Sequence, residues 1–434
     1  VSAPPSISLS SNRKRWFPEL LRDVSFRRYW TGQTVSTFGD QISFVVIPLV
    51  AVLVTHADAA QMGYLVAAGW LPHLLFGLHA GVWADRRARR RRVMIAADLG
   101  RFVLVASVPV VYLFDGLTLA QLYAVAFSVG TLSVLFDVCN APLFPALVAP
   151  QRYVAGNSLI NGSRAMSQMA GPSVGGLLVQ LLSAPVALLA DALSFLVSAL
   201  TLSRITPAEP PAQQAVRGQL AEGIRFIARS PIMRSALAAT ATVNFFTLMV
   251  VALFMLYAID TLHLEPGSVG LVLGAGAVGG LLGALTAGRL ADRIGIGPTF
   301  VLGCLVFPAP MLLIPAAHGS APVVLILLTA AEFGSGLGMM WLDIAASSLF
   351  TAITPDPLRS RVFGAYRAVN YGVRPLGSLA GGTLATAIGL RPTLWTATIA
   401  ALTAFLFLLP SPIPRLETCG DAAEEGIRAR REVG

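Results

Sequence analysis

Two carboxylates stand where a chain of this kind can take up and release protons. Asp40 lies on a polar stripe of Gln33, Ser36, Asp40 and Ser43, spaced i, i+3, i+7 and i+10 in an otherwise apolar run. Glu332 interrupts another apolar run. A charge near the centre of a bilayer costs ~2.5–3.5 kcal/mol on insertion scales, so each acid must be paired, hydrated or protonated. Reversible protonation is the chemistry such a position offers, and Asp40 and Glu332 are the candidates for it. Three arginines occupy comparable runs: Arg164, Arg367 and Arg374, the last two seven residues apart and so on one helix face. They suit a Glu332–arginine pair that a proton or a substrate breaks, an Arg164 pairing with Asp40, or an anionic group on a ligand. The competing reading is a static buried pair that fixes helix register. Gln33 and Ser36, with Asn244 from a second stripe shared by Thr240 and Thr247, are candidates to line a water-filled path.

The elements that must position these groups are lipid-crossing helices. Of 434 residues, 55% are hydrophobic and 12% charged, and the mean hydropathy is +0.71. Soluble chains carry roughly 25% charged residues. The apolar residues fall in runs of about 20, the length that crosses a hydrocarbon core of ~30 Å. Twelve runs are predicted, at 30–54, 62–84, 93–114, 119–141, 154–181, 185–202, 235–259, 268–290, 298–316, 322–344, 362–388 and 393–409. The fold class is an all-α membrane protein with twelve transmembrane helices.

Charge orders the runs. From Arg86 to Arg92 the chain holds six arginines in seven residues, between the second and third runs. That density suits a short cytoplasmic turn and no soluble core. Connections after even-numbered runs, with both tails and Arg289, hold 26 arginines and lysines, whereas the opposite connections hold only Arg391. The bias predicts both termini on the cytoplasmic side. The net charge of +9 is thus a matter of topology, and no nucleic-acid partner is implied.

A duplication is also legible. The turn Gly81, Asp85, Arg86 returns 207 residues later as Gly288, Asp292, Arg293. Asp137 and Asp343 are 206 apart, and Arg164 and Pro172 recur 203 residues on as Arg367 and Pro375. The chain therefore reads as two pseudo-symmetric six-helix bundles, residues 30–203 and 235–410. Residues 1–29 are a tail with an interfacial segment, and 411–434 a charged tail expected to be mobile. The linker 204–234 has a Pro-rich start, then Leu220, Ile224 and Ile227 opposite Glu222, Arg225 and Arg229, an amphipathic helix for the inner leaflet.

Several chemistries are set aside. The only lysine is Lys14, so no GxxxxGK phosphate loop exists. Cys139, Cys304 and Cys419 lack metal spacing. No nucleophile–base set or metal cluster appears, so neither an enzyme nor a cofactor is expected. The first thirty residues lack a short apolar core with a cleavage site.

The turn resembles that of the major facilitator superfamily, GxLaDrxGrkxxL, here Gly81, Trp83, Asp85, Arg86, Ala88, Arg89, Arg90 and Val93. Its second glycine is Ala88 and its first leucine Trp83. Gly171, Pro172, Gly175 and Gly176 are similar to the antiporter signature GxxxGPxxGG, with Ser167 for the leading glycine. The stretches Pro145 to Ser158, Glu222 to Phe226 and Arg361 to Gly377 look like the branch of enterobactin exporters and macrolide efflux proteins. The fourth run lacks the membrane arginine of the drug-antiporter motif, so that proton relay is not carried over.

The resemblance implies a conformational latch of Gly81, Asp85, Arg86, Arg89 and Arg90, echoed by Gly288, Asp292 and Arg293, with Asp98 and Arg101 adjoining. It implies a helix bend at the Gly-Pro signature. It also implies a monomer in the bacterial cytoplasmic membrane, exporting a small amphipathic or lipophilic compound in exchange for protons. Its partners would be that small molecule, protons and membrane lipids. Proton-coupled nutrient uptake, and a lipid flippase or non-transporting sensor, are the rival expectations.

Overall fold

The computed structural model describes residues 19–85, 89–206, 219–355, 358–418 and 420–421. Helix α1 (Val24–Leu53) starts six residues earlier than hydropathy predicts, because Asp23 caps it by accepting the Phe26 N–H at 2.9 Å. Phe26 and Tyr29 are then buried in the bundle and do not lie at its surface. The first half continues with α2 (Ala59–Asp85), α3 (Arg90–Tyr112), α4 (Leu119–Asn140), α5 (Tyr153–Leu181) and α6 (Ala184–Ser203). After a linker helix (Gln219–Arg229) come α7 (Pro231–Leu256), α8 (Pro266–Ile294), α9 (Ile296–Val306), α10 (Ala321–Ile353), α11 (Arg359–Ile388) and α12 (Leu390–Leu402). α9 runs on to Ala316 only as short turns, since Pro308 and Pro310 each lack the N–H a helix interior needs.

Among the described residues nine segments are long and apolar enough to cross a membrane. α2, α5 and α11, of 27, 29 and 30 residues, are long enough as well. Arg164 on α5 and Arg367 and Arg374 on α11 lower the apolarity of the latter two. Together these give the all-helical architecture expected from the sequence.

α1 packs on α5 and α6, α3 on α4 and α6, and α2 on α4, forming one bundle. α7 packs on α11 and α12, and α10 on α8 and α9, forming the other. Two crossings, α5 on α8 and α2 on α11, join them. Both are closest at the end away from the chain termini. A Cβ on Gly176 would lie 3.0 Å from the Gly270 Cα, and one on Gly382 3.1 Å from the Gly63 Cα. Ser173 Oγ donates to Gly270 O at 3.3 Å, and Gln180 Nε2 to Glu265 Oε2 at 2.8 Å, along the same seam. Towards the termini the halves separate: Val154 and Met166 on α5 are exposed, and Gly162 and Gly288 have open space beside them.

The linker helix docks on the start of α11. Arg361 pairs with Glu222, and Gly223 sits against the Arg361 carbonyl. Its apolar residues do not share one lipid face: Ile227 is buried in the second bundle while Ile224 is exposed. The Leu220 side chain lies outside the described residues. Because the Glu222–Arg361 pair is largely open to water, Glu222→Gln is expected to change stability by only about 0–1 kcal/mol, read from the unfolding midpoint. The start of the C-terminal tail is ordered, contrary to the mobile segment expected from its charge. Ile296 and Gly297 donate to Glu417 O and Leu416 O at 3.1 and 2.9 Å, and Ile413 is fully buried. Cys419 lies outside the described residues.

Candidate functional site

The polar groups of α7 and α11 interlock at mid-span. Tyr366 donates to Thr240 at 2.7 Å, and Asn244 Nδ2 donates to Thr240 O at 2.9 Å and to Asn370 Oδ1 at 3.1 Å. That leaves the Asn244 Oδ1 for Arg374 Nε, which donates to it at 3.1 Å. The Arg374 guanidinium lies over Trp70 of α2 at 4.3 Å and over Tyr371 at 4.7 Å. His73 completes the aromatic group, 5.4 Å from Trp70 and 5.8 Å from Tyr371 between ring centroids. Arg367 is exposed, with its Nη2 donating to the Tyr371 hydroxyl at 3.2 Å. Asn244 and Arg374 are therefore bonded to each other, and Arg367 lies on the same helix as Arg374, with Tyr371 between the two arginines. Trp70, from the other half of the chain, is the member that spacing could not supply.

The acids are distributed differently from expectation. Glu332 forms no ion pair with Arg367 or Arg374; its carboxylate lies along Gly276 of α8, where an added Cβ would be 3.2 Å from Oε2. The anticipated Glu332–arginine pair is absent because those arginines are turned towards α2 and their own aromatic neighbours. Asp40 is exposed, and the charges acting on it are those of Arg101, Asp137, Asp98 and Arg164. Arg164, also exposed, comes within electrostatic reach of Asp40 without an ion pair. The charges of Arg101, Arg164 and Arg367 act on Asp137, and that of Arg374 on Asp343. Both acids are exposed. The duplicated pair, assigned to structural roles by its depth, thus borders the same cleft as the arginines. The repeat at 206 residues was the signal that marked it.

The first-helix stripe divides. Ser43 donates to Asp191 of α6, and Ser36 is buried, so these two face the bundle interior. Gln33 accepts from Asn140 Nδ2 at 3.3 Å, tying α1 to α4. Behind Asp40, Asp98 and Arg101 form a fully buried ion pair, with the guanidinium between Phe136 and Phe195 at 4.6 and 4.4 Å. Asp191, 1% exposed, also accepts from Ser194 Oγ at 3.1 Å. Spacing gave Asp191 a structural place near a helix end; its burial against α1 was not visible there.

At the termini-facing end, Arg86 and the Asp85 side chain lie outside the described residues, and Gly81 is placed only as α2 backbone. Arg89 is exposed and Arg90 buried. Arg91, assigned to topology by sequence, donates to Ser203 O at 3.2 Å and to Ile205 O, while Arg28 donates to Arg204 O at 2.6 Å. Both satisfy orphan carbonyls at the negative end of α6. Gly288, Asp292 and Arg293 are exposed, and among the described residues neither charged member forms an ion pair. Gly171 and Gly175 lie against Gln41 and Ile42 of α1, and Gly176 against Gly270, with Pro172 inside α5.

Two helical bundles around a cleft lined from both halves define a membrane transporter of the major facilitator type. A family model described as transmembrane secretion effector matches residues 15–430, and the chain belongs to that family. It is 28% identical over 370 residues to the multidrug efflux pump Tap of Mycolicibacterium fortuitum, covering 82% of this chain and 88% of that one. It is likewise 28% identical over 375 residues to an uncharacterized transporter of the superfamily, YfiS, of Bacillus subtilis strain 168, covering 82% and 86%. Among solved structures, a bacterial homologue of the iron transporter ferroportin in an inward-facing state superposes with a TM-score of 0.74 at 18% identity. That match covers 91% of this chain and 99% of the other, a likeness of fold.

Proposed function

We propose that the protein exports a small amphipathic or lipophilic compound, such as an antibiotic or another drug, by alternating access in exchange for protons. The observation that carries this reading is the cleft itself. Polar groups of both bundles border it, and the bundles join most closely at the end away from the termini. Arginine bias supports cytoplasmic termini, and with them this conformer is open to the side from which an exporter loads. The similarity to multidrug efflux pumps supports the direction. The protein acts as a monomer in the bacterial cytoplasmic membrane.

Asp40 and Glu332 are the groups proposed to carry protons, since each stands in a membrane span without an ion-pair partner within 4 Å among the described residues. Asp85 and Arg86, with Arg89 and Arg90, would latch the cytoplasmic end in the opposite conformer. Asp292 and Arg293, exposed and without an ion pair among the described residues, fit an end that is unlatched.

The test is an efflux panel of dyes and antibiotics in a pump-deficient host. The parent is expected to lower accumulation; raised accumulation would favour uptake, and no substrate-driven proton flux in proteoliposomes would favour a flippase or sensor. Asp40→Asn and Glu332→Gln are expected to abolish concentrative efflux while leaving downhill flux. Concentrative efflux surviving both substitutions removes the coupling assignment.

A further inference from the structure

Arg374 is held in a way that leaves one part of it free. Trp70 and Tyr371, whose ring centroids are 5.8 Å apart, both pack against its guanidinium, and its Nε is tied to Asn244. Asn244 is fixed in turn, because its amide nitrogen is used by Thr240 O and Asn370 Oδ1, and Asn370 Nδ2 donates to Tyr366 O at 3.1 Å. The guanidinium therefore has one specified position. Among the described residues neither Nη group has a hydrogen-bond partner, and neither is sealed from solvent. Asp343 is the acid whose charge reaches Arg374, yet the two form no ion pair.

An arginine kept only for the fold would end on a carboxylate, since a mid-membrane guanidinium costs ~2.5–3.5 kcal/mol to insert. Two covering rings offset part of that cost, about 0.5–2 kcal/mol each. With Nε bonded to Asn244, the edge left without a partner among the described residues is the Nη edge, whose parallel N–H groups match a carboxylate or a similar planar anion. Arg367 stands seven residues away on the same face, roughly 10.5 Å along the helix, with Tyr371 between the two cations.

We infer that the Nη edge of Arg374 is the receptor for an acidic group on the transported compound, beside an aromatic wall of Trp70, His73 and Tyr371. The preferred substrates are then amphipathic acids, in which a carboxylate or enolate is joined to a planar apolar ring. This inference rests on the export reading and narrows it.

The experiment uses the full-length protein in nanodiscs and three probes of one shape: 2-naphthoate, 2-naphthamide and 2-naphthylmethylammonium. Equilibrium dialysis is expected to show naphthoate bound about tenfold or more tighter than naphthamide, as charged bidentate hydrogen bonds imply, with the cation weakest. Arg374→Gln is expected to erase the preference. Arg374→Lys, which keeps the charge and loses the fork, is expected to retain part of it. Should Arg374→Gln fail to give a monodisperse protein, the lysine variant decides, and an undiminished preference there overturns the inference. So does a parent that binds naphthamide or the cation as tightly as naphthoate. Efflux of the dye panel without any acid preference sinks this inference and spares the export reading. Acid preference in nanodiscs without efflux of any panel compound sinks the export reading alone.

Discussion

Replacing Arg101 by leucine is expected to destabilise the first bundle by about 3–5 kcal/mol, the cost of leaving a buried carboxylate without its cation. Asp98 is 0% exposed and Arg101 3%. Arg101 is the cation that Asp98 meets, its guanidinium packed between Phe136 and Phe195, and its charge also reaches Asp40, Asp137 and Asp191. Leucine removes all of these at once. Arg101→Lys keeps the charge, but its compact ammonium cannot stack flat between two rings, so an intermediate loss is expected. Asp98→Asn combined with Arg101→Leu is expected to recover most of the loss, because the uncompensated charge is gone. Unfolding in mixed detergent measures the series. A single Arg101→Leu variant as stable as the parent, or a double variant no better than the single, would show that the pair does not hold the bundle.

How far the site was legible in the sequence depended on whether a residue's role lies along one helix or between two. Arg367 and Arg374 share a face because seven residues make nearly two turns, and that much can be read from spacing; that Arg367 is exposed and Arg374 half-buried cannot. The stripe Gln33, Ser36, Asp40 and Ser43 spreads over about 80° of helix circumference at 100° per residue. α1 borders the cleft and also packs on α6, and the seam between those surfaces runs through the stripe. Asp40 falls on one side of it, and Ser43, bonded to Asp191, on the other. Periodicity gives the angle but not the position of the neighbouring helix. The Glu332 expectation failed for the same reason: a mid-span acid calls for compensation, yet nothing in α10 or α11 says that Arg374 turns to Trp70 and Arg367 to Tyr371. The tail misled in another way, since its charged average hid Ile413 and Leu416, two buried contacts too few to raise a hydropathy window.

Gly176→Leu is expected to stop transport by preventing the two bundles from closing at the end away from the termini. The contact is backbone on backbone: a Cβ on Gly176 would lie 3.0 Å from the Gly270 Cα and 3.1 Å from its nitrogen, and one on Gly270 would lie 2.5 Å from the Pro172 carbonyl oxygen. No side-chain rotation relieves such a clash, so α5 and α8 must move apart and lose the packing between them. Overpacking of this kind costs about 1–3 kcal/mol, and a penalty of that size borne by one conformer shifts the equilibrium by about 5–150-fold. The shift can be read without substrate. Gln180 and Glu265 meet across the same seam at 2.8 Å, so Gln180→Cys with Glu265→Cys, in a background lacking Cys139, Cys304 and Cys419, should crosslink readily. Adding Gly176→Leu is expected to suppress that crosslink while leaving the protein monodisperse, and Gly176→Ala to fall between. Because the clash is confined to the interface between bundles, the internal packing of each bundle is left intact. That separates this variant from Arg101→Leu, which loosens one bundle and leaves the seam residues unchanged. An undiminished crosslink and undiminished efflux in Gly176→Leu would mean that α5 and α8 can part here without consequence, and that closure of the far end is governed by the α2–α11 crossing at Gly63 and Gly382 instead.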